Sequence, residues 1–337
     1  MSLRAAFHDH SDTLPPGRPG GCIVAFGPGV VASSTPVLQV TNCSKQFGKF
    51  QAVKNLSLRV DAGEVLGFLG PNGSGKSTTI GMVLGTVKPT SGEIAVCGRN
   101  ALTEPEVVRD HVGAIIESPA FYPYLSGRDN LRAHAIALGS VANPRIDEVL
   151  TLVNLTDRAS AQYKTYSLGM KQRLGVAASL LARPALVILD EPTNGLDPAG
   201  QREIRELIPR LADEGSAVLL ASHMLHEVEQ VSDRVLIVRQ GELVTEGHVD
   251  DLLRRGGYLE VVVPSVALDR SLRIIRRLPM VEQVTIERDR LVVIAPDDAG
   301  GALNRALADE EIYASAISSR HGSLEEVFLE LTGEALT

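Results

Sequence analysis

Two short stretches hold the residues best suited to chemistry. In 70-GPNGSGKSTT-79, Gly70, Gly75, Lys76 and Ser77 fit the spacing G-x-x-x-x-G-K-[ST]. Glycines at those places let successive backbone N–H groups converge on phosphate oxygens. A helix beginning at Lys76 adds the partial positive charge of its N-terminus. Lys76 is placed to reach the outer phosphates and the Ser77 hydroxyl to bind Mg2+. The run Gly70, Pro71, Asn72, Gly73, Ser74, Gly75, Lys76, Ser77 and Thr78 is therefore the expected nucleotide-binding loop. In 186-LVILDEP-192 four apolar residues lead into two adjacent carboxylates. Open α/β sheets bind ligands at the carboxyl ends of their strands. There Asp190 can hold Mg2+, and Glu191 can orient or deprotonate an attacking water.

Both stretches need buried strands behind them. The apolar runs 64-EVLGFLG-70, 185-ALVILD-190 and 217-AVLLAS-222 have strand length and end in turns, as central parallel strands do. Strand–helix alternation around a phosphate loop predicts a doubly wound, mostly parallel α/β core. The segments 37-VLQVTNCS-44 and 54-KNLSLRV-60 alternate in polarity, which predicts half-exposed strands of an antiparallel piece. Residues 126–180 read as mainly helical, with a break at Asn143-Pro144. After about residue 255 the order YLEVVVP, SLRIIRRL, VEQVTIERDRLVVIAP, ALNRALADE, a last strand and SLEEVFLELTG predicts a small α+β domain over 256–337, in a β-α-β-β-α-β, ferredoxin-like arrangement. It carries no phosphate loop and no paired acids, so regulation or dimer support is expected of it.

Composition narrows the function. With 33 Lys and Arg against 41 Asp and Glu, the net charge of −8 leaves no electrostatic footprint for nucleic acid. No apolar run approaches the roughly 20 residues that cross a bilayer, so the chain is not expected to form a channel itself. Three cysteines without framework spacing predict a reduced compartment. Residues 1–36, rich in His, Pro and Gly at the start, read as a disordered extension, and a polar stretch before the apolar block argues against a signal peptide.

Further motifs add a resemblance. 166-YSLGMKQR-173 lies just ahead of 190-DEPTNGLD-197, with Ser222-His223 beyond. Together with the phosphate loop, over roughly residues 37–255, they resemble the ATP-binding subunit of ABC transporters. That resemblance implies a P-loop NTPase core with a helical subdomain, here at about 114–180. The substrate it implies is ATP with Mg2+. It also implies a homodimer in which the signature of one copy caps the ATP of the other, and a separate membrane permease that receives the motion. The chain would then sit in the cytoplasm, on the inner face of the membrane.

The family signature Leu-Ser-Gly-Gly-Gln is here Tyr166-Ser167-Leu168-Gly169-Met170. Ser167 and Gly169 are the retained positions that would act on the partner's nucleotide. By motif, Phe47 in 45-KQFGK-49 matches the aromatic that stacks on adenine, with Val53 beside the base. His223 matches the switch histidine at the γ-phosphate, and Asp197 the aspartate that communicates across the dimer. One position departs: 112-VGAIIESPAFYPYLSGRDNL-131 aligns with a loop that normally carries a Gln ligand of Mg2+, and Glu117 stands there. Glu at this place, and the C-terminal SLEEVFLELTG, resemble the bacitracin-resistance, lantibiotic-immunity and daunorubicin-type exporters. The expected role is export of an antibiotic, peptide or lipid-like molecule, with the aromatics Phe121, Tyr122 and Tyr124 facing the permease. The competing readings are a soluble ABC ATPase acting on ribosomes or DNA, and a regulatory subunit with little turnover. No basic linker or long coiled coil favours the former; the altered signature and Glu117 keep the latter open.

Overall fold

The computed structural model describes residues 35–117, 119–139, 145–255, 257–320 and 322–332. The N-terminal extension expected over 1–36 lies outside them save for its last two residues, and so does the Asn143-Pro144 break. Strands β1 (Leu38–Phe47) and β2 (Phe50–Val60) form a hairpin, and β3 (Val65–Leu69) runs straight into the phosphate loop and α1 (Lys76–Val83). Then follow β4 (Ser91–Val96), β5 (Arg99–Asn100), α2 (Glu106–His111) and β6 (Val112–Ile116). Three helices, α3 (Gly127–Ala137), α4 (Arg145–Leu152) and α5 (Leu168–Ser179), make a helical subdomain. It begins a few residues later than the expected 114, because β6 belongs to the main sheet.

The core resumes with β7 (Leu186–Asp190), α6 (Pro198–Asp213), β8 (Ala217–Ser222), α7 (Leu225–Glu229), β9 (Arg234–Arg239), β10 (Glu242–His248) and α8 (Val249–Arg255). Its sheet has the order β10-β9-β3-β8-β7-β6. All neighbours are parallel except β10, which turns back along β9. Every residue of β3, β7 and β8 is buried, which is why these strands read as continuous apolar runs rather than alternating ones. β1, β2, β4 and β5 form a separate antiparallel sheet, β2-β1-β4-β5, packed on one side of it. On the other side α6 buries Ile204, Leu207, Ile208 and Leu211, one helical stripe.

A third sheet is built from β11 (Tyr258–Val262), β12 (Gln283–Glu287), β13 (Arg290–Ile294) and β14 (Ala316–Arg320), in the order β12-β13-β11-β14. Helices α9 (Leu268–Ile275) and α10 (Gly300–Ala308) complete the split β-α-β pattern and share a core with it around Val261, Val293, Leu303 and Leu307. The last helix, α11 (Leu324–Thr332), goes elsewhere. Leu324, Val327 and Phe328 are buried in the nucleotide-binding core beside α7 and α8. The Leu324 N–H donates to the Glu229 carboxylate at 3.1 Å, and the Gly322 N–H to the Leu253 carbonyl at 3.0 Å. The C-terminal sheet is thus bracketed in sequence by two helices of the ATPase body. Cys43 is buried, and its thiol donates to the Glu93 carbonyl at 3.3 Å.

Candidate functional site

β3 delivers the chain to Gly70, where a side chain has no room: a Cβ would come within 2.3 Å of the Val238 carbonyl and 2.6 Å of Ser74 Oγ. Gly75 caps α1 at φ +105°, and a Cβ there would meet the Ala52 carbonyl at 2.7 Å. These contacts make Gly obligatory at both places. With no side chain capping α1 and no acid in its first turn, its first N–H groups face the loop. Lys76 is buried, and its Nζ donates to the carbonyls of Gly70 at 2.6 Å and Pro71 at 3.4 Å. Burial pulls its ammonium below the usual lysine range, while Glu191 and Asp190 oppose that pull.

Four adjacent strands, β3, β8, β7 and β6, end at the same edge of the sheet and bring the remaining groups together. Asp190 closes β7 and is buried. Burial pushes its carboxyl up, a hydrogen bond from Ser77 opposes this, and the charges of Glu191 and Glu117 raise it further. Its Oδ1, shut from solvent, has no hydrogen-bond partner. An orphaned carboxylate oxygen beside a hydroxyl fits a small hard cation. Among the described residues no cluster of three or more His, Cys, Asp or Glu could hold a metal alone. A cation here would therefore fill its shell from Ser77, water and phosphate oxygens, as Mg2+ does in nucleotide sites.

Glu191 adopts φ +50°, unusual for a non-glycine residue, and its N–H donates to the Ala221 carbonyl of the neighbouring strand at 2.9 Å. Its Oε2 lies 2.8 Å from His223 Nδ1 and accepts from Ser222 Oγ at 3.4 Å, while Oε1 is 3.7 Å from Lys76 Nζ. Glu117, just past β6 at φ +55°, is exposed on the same side. The phosphate loop, Glu117, Asp190 and Glu191 border one cleft of about 590 Å³.

Ser167 caps α5 by accepting from the Met170 N–H at 3.2 Å, and Asp197 caps α6 by accepting from the Gly200 N–H at 3.0 Å. Both caps are exposed. Gly169 is buried, and a Cβ there would lie 3.6 Å from Gly200 Cα, so the two helix starts abut. Ser167, Gly169, Asp197 and His223 do not border the cleft. Neither do Phe47 and Val53: the residues of β2 that border it are Phe50 and Ala52. Val53 turns into the core. Phe47 pairs with Phe50 at the hairpin end, and Lys45 Nζ stands 4.7 Å from its ring centre. The pairing of Phe47 with Phe50 was available from the sequence, because Gly48-Lys49 between them is a two-residue hairpin turn. Asn194, Leu168 and Gln172 also border the cleft; they lie inside the motifs 166-YSLGMKQR-173 and 190-DEPTNGLD-197 but are not among the expected site residues. Of the three expected aromatics only Tyr122 and Tyr124 are exposed. Phe121 instead packs edge-on against Tyr163, with ring centres 5.3 Å apart.

The comparisons agree with this geometry. The family described as "ABC transporter" matches residues 53–194. An uncharacterized ABC transporter ATP-binding protein of Bacillus subtilis, YdbJ, is 40% identical over 88% of this chain and 96% of its own length. The bacitracin transport ATP-binding protein BcrA of Bacillus licheniformis is 37% identical over 88% and 97%. The daunorubicin resistance ATP-binding protein DrrA3 of Streptomyces coeruleorubidus is 35% identical over 88% and 96%. A solved ATP-binding subunit of an ABC transporter superposes with a TM-score of 0.58 at 31% identity, covering 65% of this chain and 92% of that one. The core is a P-loop NTPase cassette, no helix among the described residues is long and apolar enough to cross a membrane, and the chain belongs to the ATP-hydrolysing, ATP-binding subunits of ABC transporters, proteins that dimerise and work with separate membrane permeases.

Proposed function

We propose that this subunit energises export of an antibiotic, peptide or lipid-like molecule through a permease encoded as another chain. The observation behind the chemistry is the gathering of Lys76, Glu117, Asp190, Glu191 and His223 at four neighbouring strand ends. The phosphate loop and Lys76 bind the phosphates, and Ser77, Asp190 and Glu117 hold Mg2+. That ion, when bound, neutralises charge on the transferring phosphoryl group. Glu191 orients the attacking water and takes its proton, and His223, against Glu191, contacts the γ-phosphate. The adenine would lie toward the β1–β2 hairpin, on the side where Phe50 and Ala52 border the cleft.

Ser167, Gly169 and Asp197 stay outside the cleft of their own chain, which supports their acting on the nucleotide of a second copy. The partner permease seats beside α3 and α5, where a groove of about 380 Å³ is lined by Phe121, His134, Leu138 and Ala178. Tyr122 and Tyr124 stand exposed on the Phe121 side. Docking there holds the subunit on the cytoplasmic face of the membrane, with no nucleic acid involved. The class of substrate rests on the names of two relatives, which concern unlike drugs. The decisive experiment is to purify Glu191→Gln and measure its mass in solution with and without Mg2+ and ATP. A nucleotide-dependent dimer supports the reading, and a monomer under all conditions overturns it.

A further inference from the structure

A second tie joins the two loops that carry Glu191 and His223. Thr193 Oγ1 donates to Glu227 Oε2. Thr193 is two residues beyond Glu191, and Glu227 is one helical turn beyond His223 on α7. Both are buried, at 3% and 6% exposure, so the bond is shielded from water. The two stretches are therefore bonded twice: by Glu191 Oε2 and His223 Nδ1 at 2.8 Å, and again by Thr193 and Glu227. Between them, Ser222 Oγ accepts from the Met224 N–H at 3.0 Å and donates to Glu191 Oε2 at 3.4 Å.

We infer that Glu227, through Thr193, is a positioning residue that holds His223 against Glu191 for hydrolysis. This rests on the catalytic reading of Glu191 and His223 given above. A five-residue helix such as α7 is too short to be stable alone, so its start, and with it His223, is placed by its contacts. Glu227 supplies the contact on the Thr193 side. The loop that carries Thr193 continues to Asp197, the cap of α6. The tie therefore moves the Glu191–Asp197 loop and the His223 segment together rather than separately.

The test is steady-state hydrolysis of Mg·ATP by the full-length chain. Glu227→Ala and Thr193→Val should each lower kcat by about fivefold, the worth of one hydrogen bond, with KM for ATP unchanged. Glu227→Gln keeps an acceptor oxygen for Thr193 and should stay near wild type. In a His223→Ala background, Glu227→Ala should add nothing, because the residue acts through that imidazole. Thr193→Val removes a hydroxyl without changing shape, so it carries the test if Glu227→Ala does not fold. If the Ala and Val variants retain wild-type kcat while His223→Ala is impaired, the inference is overturned and the catalytic reading stands. An additive loss in the double variant, or an equal loss in Glu227→Gln, also overturns it. If His223→Ala turns over like wild type, the reading of His223 falls and the inference with it.

Discussion

Lys76 Nζ lies 3.7 Å from Glu191 Oε1, so the cation proposed to bind phosphate and the carboxylate proposed to orient water form an ion pair with each other. Phosphate oxygens must compete with Glu191 for that ammonium. Removing either partner then has different consequences.

Lys76→Ala removes the charge proposed to contact phosphate and should weaken ATP binding by about 10–100-fold, the worth of a hydrogen bond to a charged group. Titration with a fluorescent ATP analogue at constant Mg2+ measures this. Unchanged affinity would mean that the backbone N–H groups alone hold the nucleotide.

Glu191→Gln keeps the shape of the side chain and removes the proposed base. Turnover should fall by about 10²–10⁴-fold while ATP affinity is retained or improved, because Lys76 is freed from its carboxylate partner. Phosphate release and equilibrium binding on the same preparation separate the two effects.

Asp190 gives a pH dependence with a definite sign. Its carboxyl is held above the usual value chiefly by burial. The folded chain therefore binds this proton more tightly than the unfolded one. Its contribution to stability falls as pH rises from the unfolded pKa through the raised folded value. At neutral pH the buried carboxylate is a cost, which a cation on Oδ1 would offset. Asp190→Asn should raise Tm in EDTA at pH 7 by about 2–4 °C, for roughly 1 kcal/mol, and abolish Mg2+-dependent turnover. The difference in Tm should shrink on acidification. Melting curves from pH 5 to 8 check this.

As a proposed ligand, Glu117 would offer Mg2+ a charged oxygen where the family pattern has a neutral one. Glu117→Ala should raise the Mg2+ concentration for half-maximal hydrolysis several-fold and lower kcat. Should Glu117→Gln instead hydrolyse faster at neutral pH, repulsion between Glu117 and its acidic neighbours outweighs metal binding.

Phe328→Ala should destabilise the nucleotide-binding body by about 3–5 kcal/mol, the usual loss for a buried aromatic, although residue 328 lies beyond the C-terminal sheet. Truncation at about residue 256 removes the same anchor. Chemical unfolding followed by bound nucleotide, compared with a probe in the C-terminal sheet, shows which unit loses stability.

The phosphate loop, the Asp190-Glu191 pair and the strands behind them were legible because each is a local pattern. A glycine turn, an apolar run and a charge step are set within a few residues. Phe50 was missed because the turn gives its pairing with Phe47 but not which residue of the pair borders the cleft. The exposed aromatic set included Phe121 in error, since nothing near it in sequence announces Tyr163 as its neighbour. Glu227 was invisible for the same reason: its partner Thr193 is 34 residues away, with α6 and β8 between them. The helix SLEEVFLELTG was legible as a helix, but its amphipathic stripe does not state which core it completes.

The placement of α11 also bears on synthesis. Leu324 bonds to Glu229, 95 residues earlier, with the whole C-terminal sheet in between. Domains emerging from a ribosome generally fold as units in order of emergence. Here the ATPase body cannot be sealed until α11 has left the exit tunnel. The sheet of residues 258–320 has its own core and no such dependence. The nascent chain therefore carries an unfinished nucleotide-binding body, with the apolar seat of Phe328 open, while a module made later is already free to fold. A truncated messenger or an early stop would yield a chain with every catalytic motif present and its core left open to water.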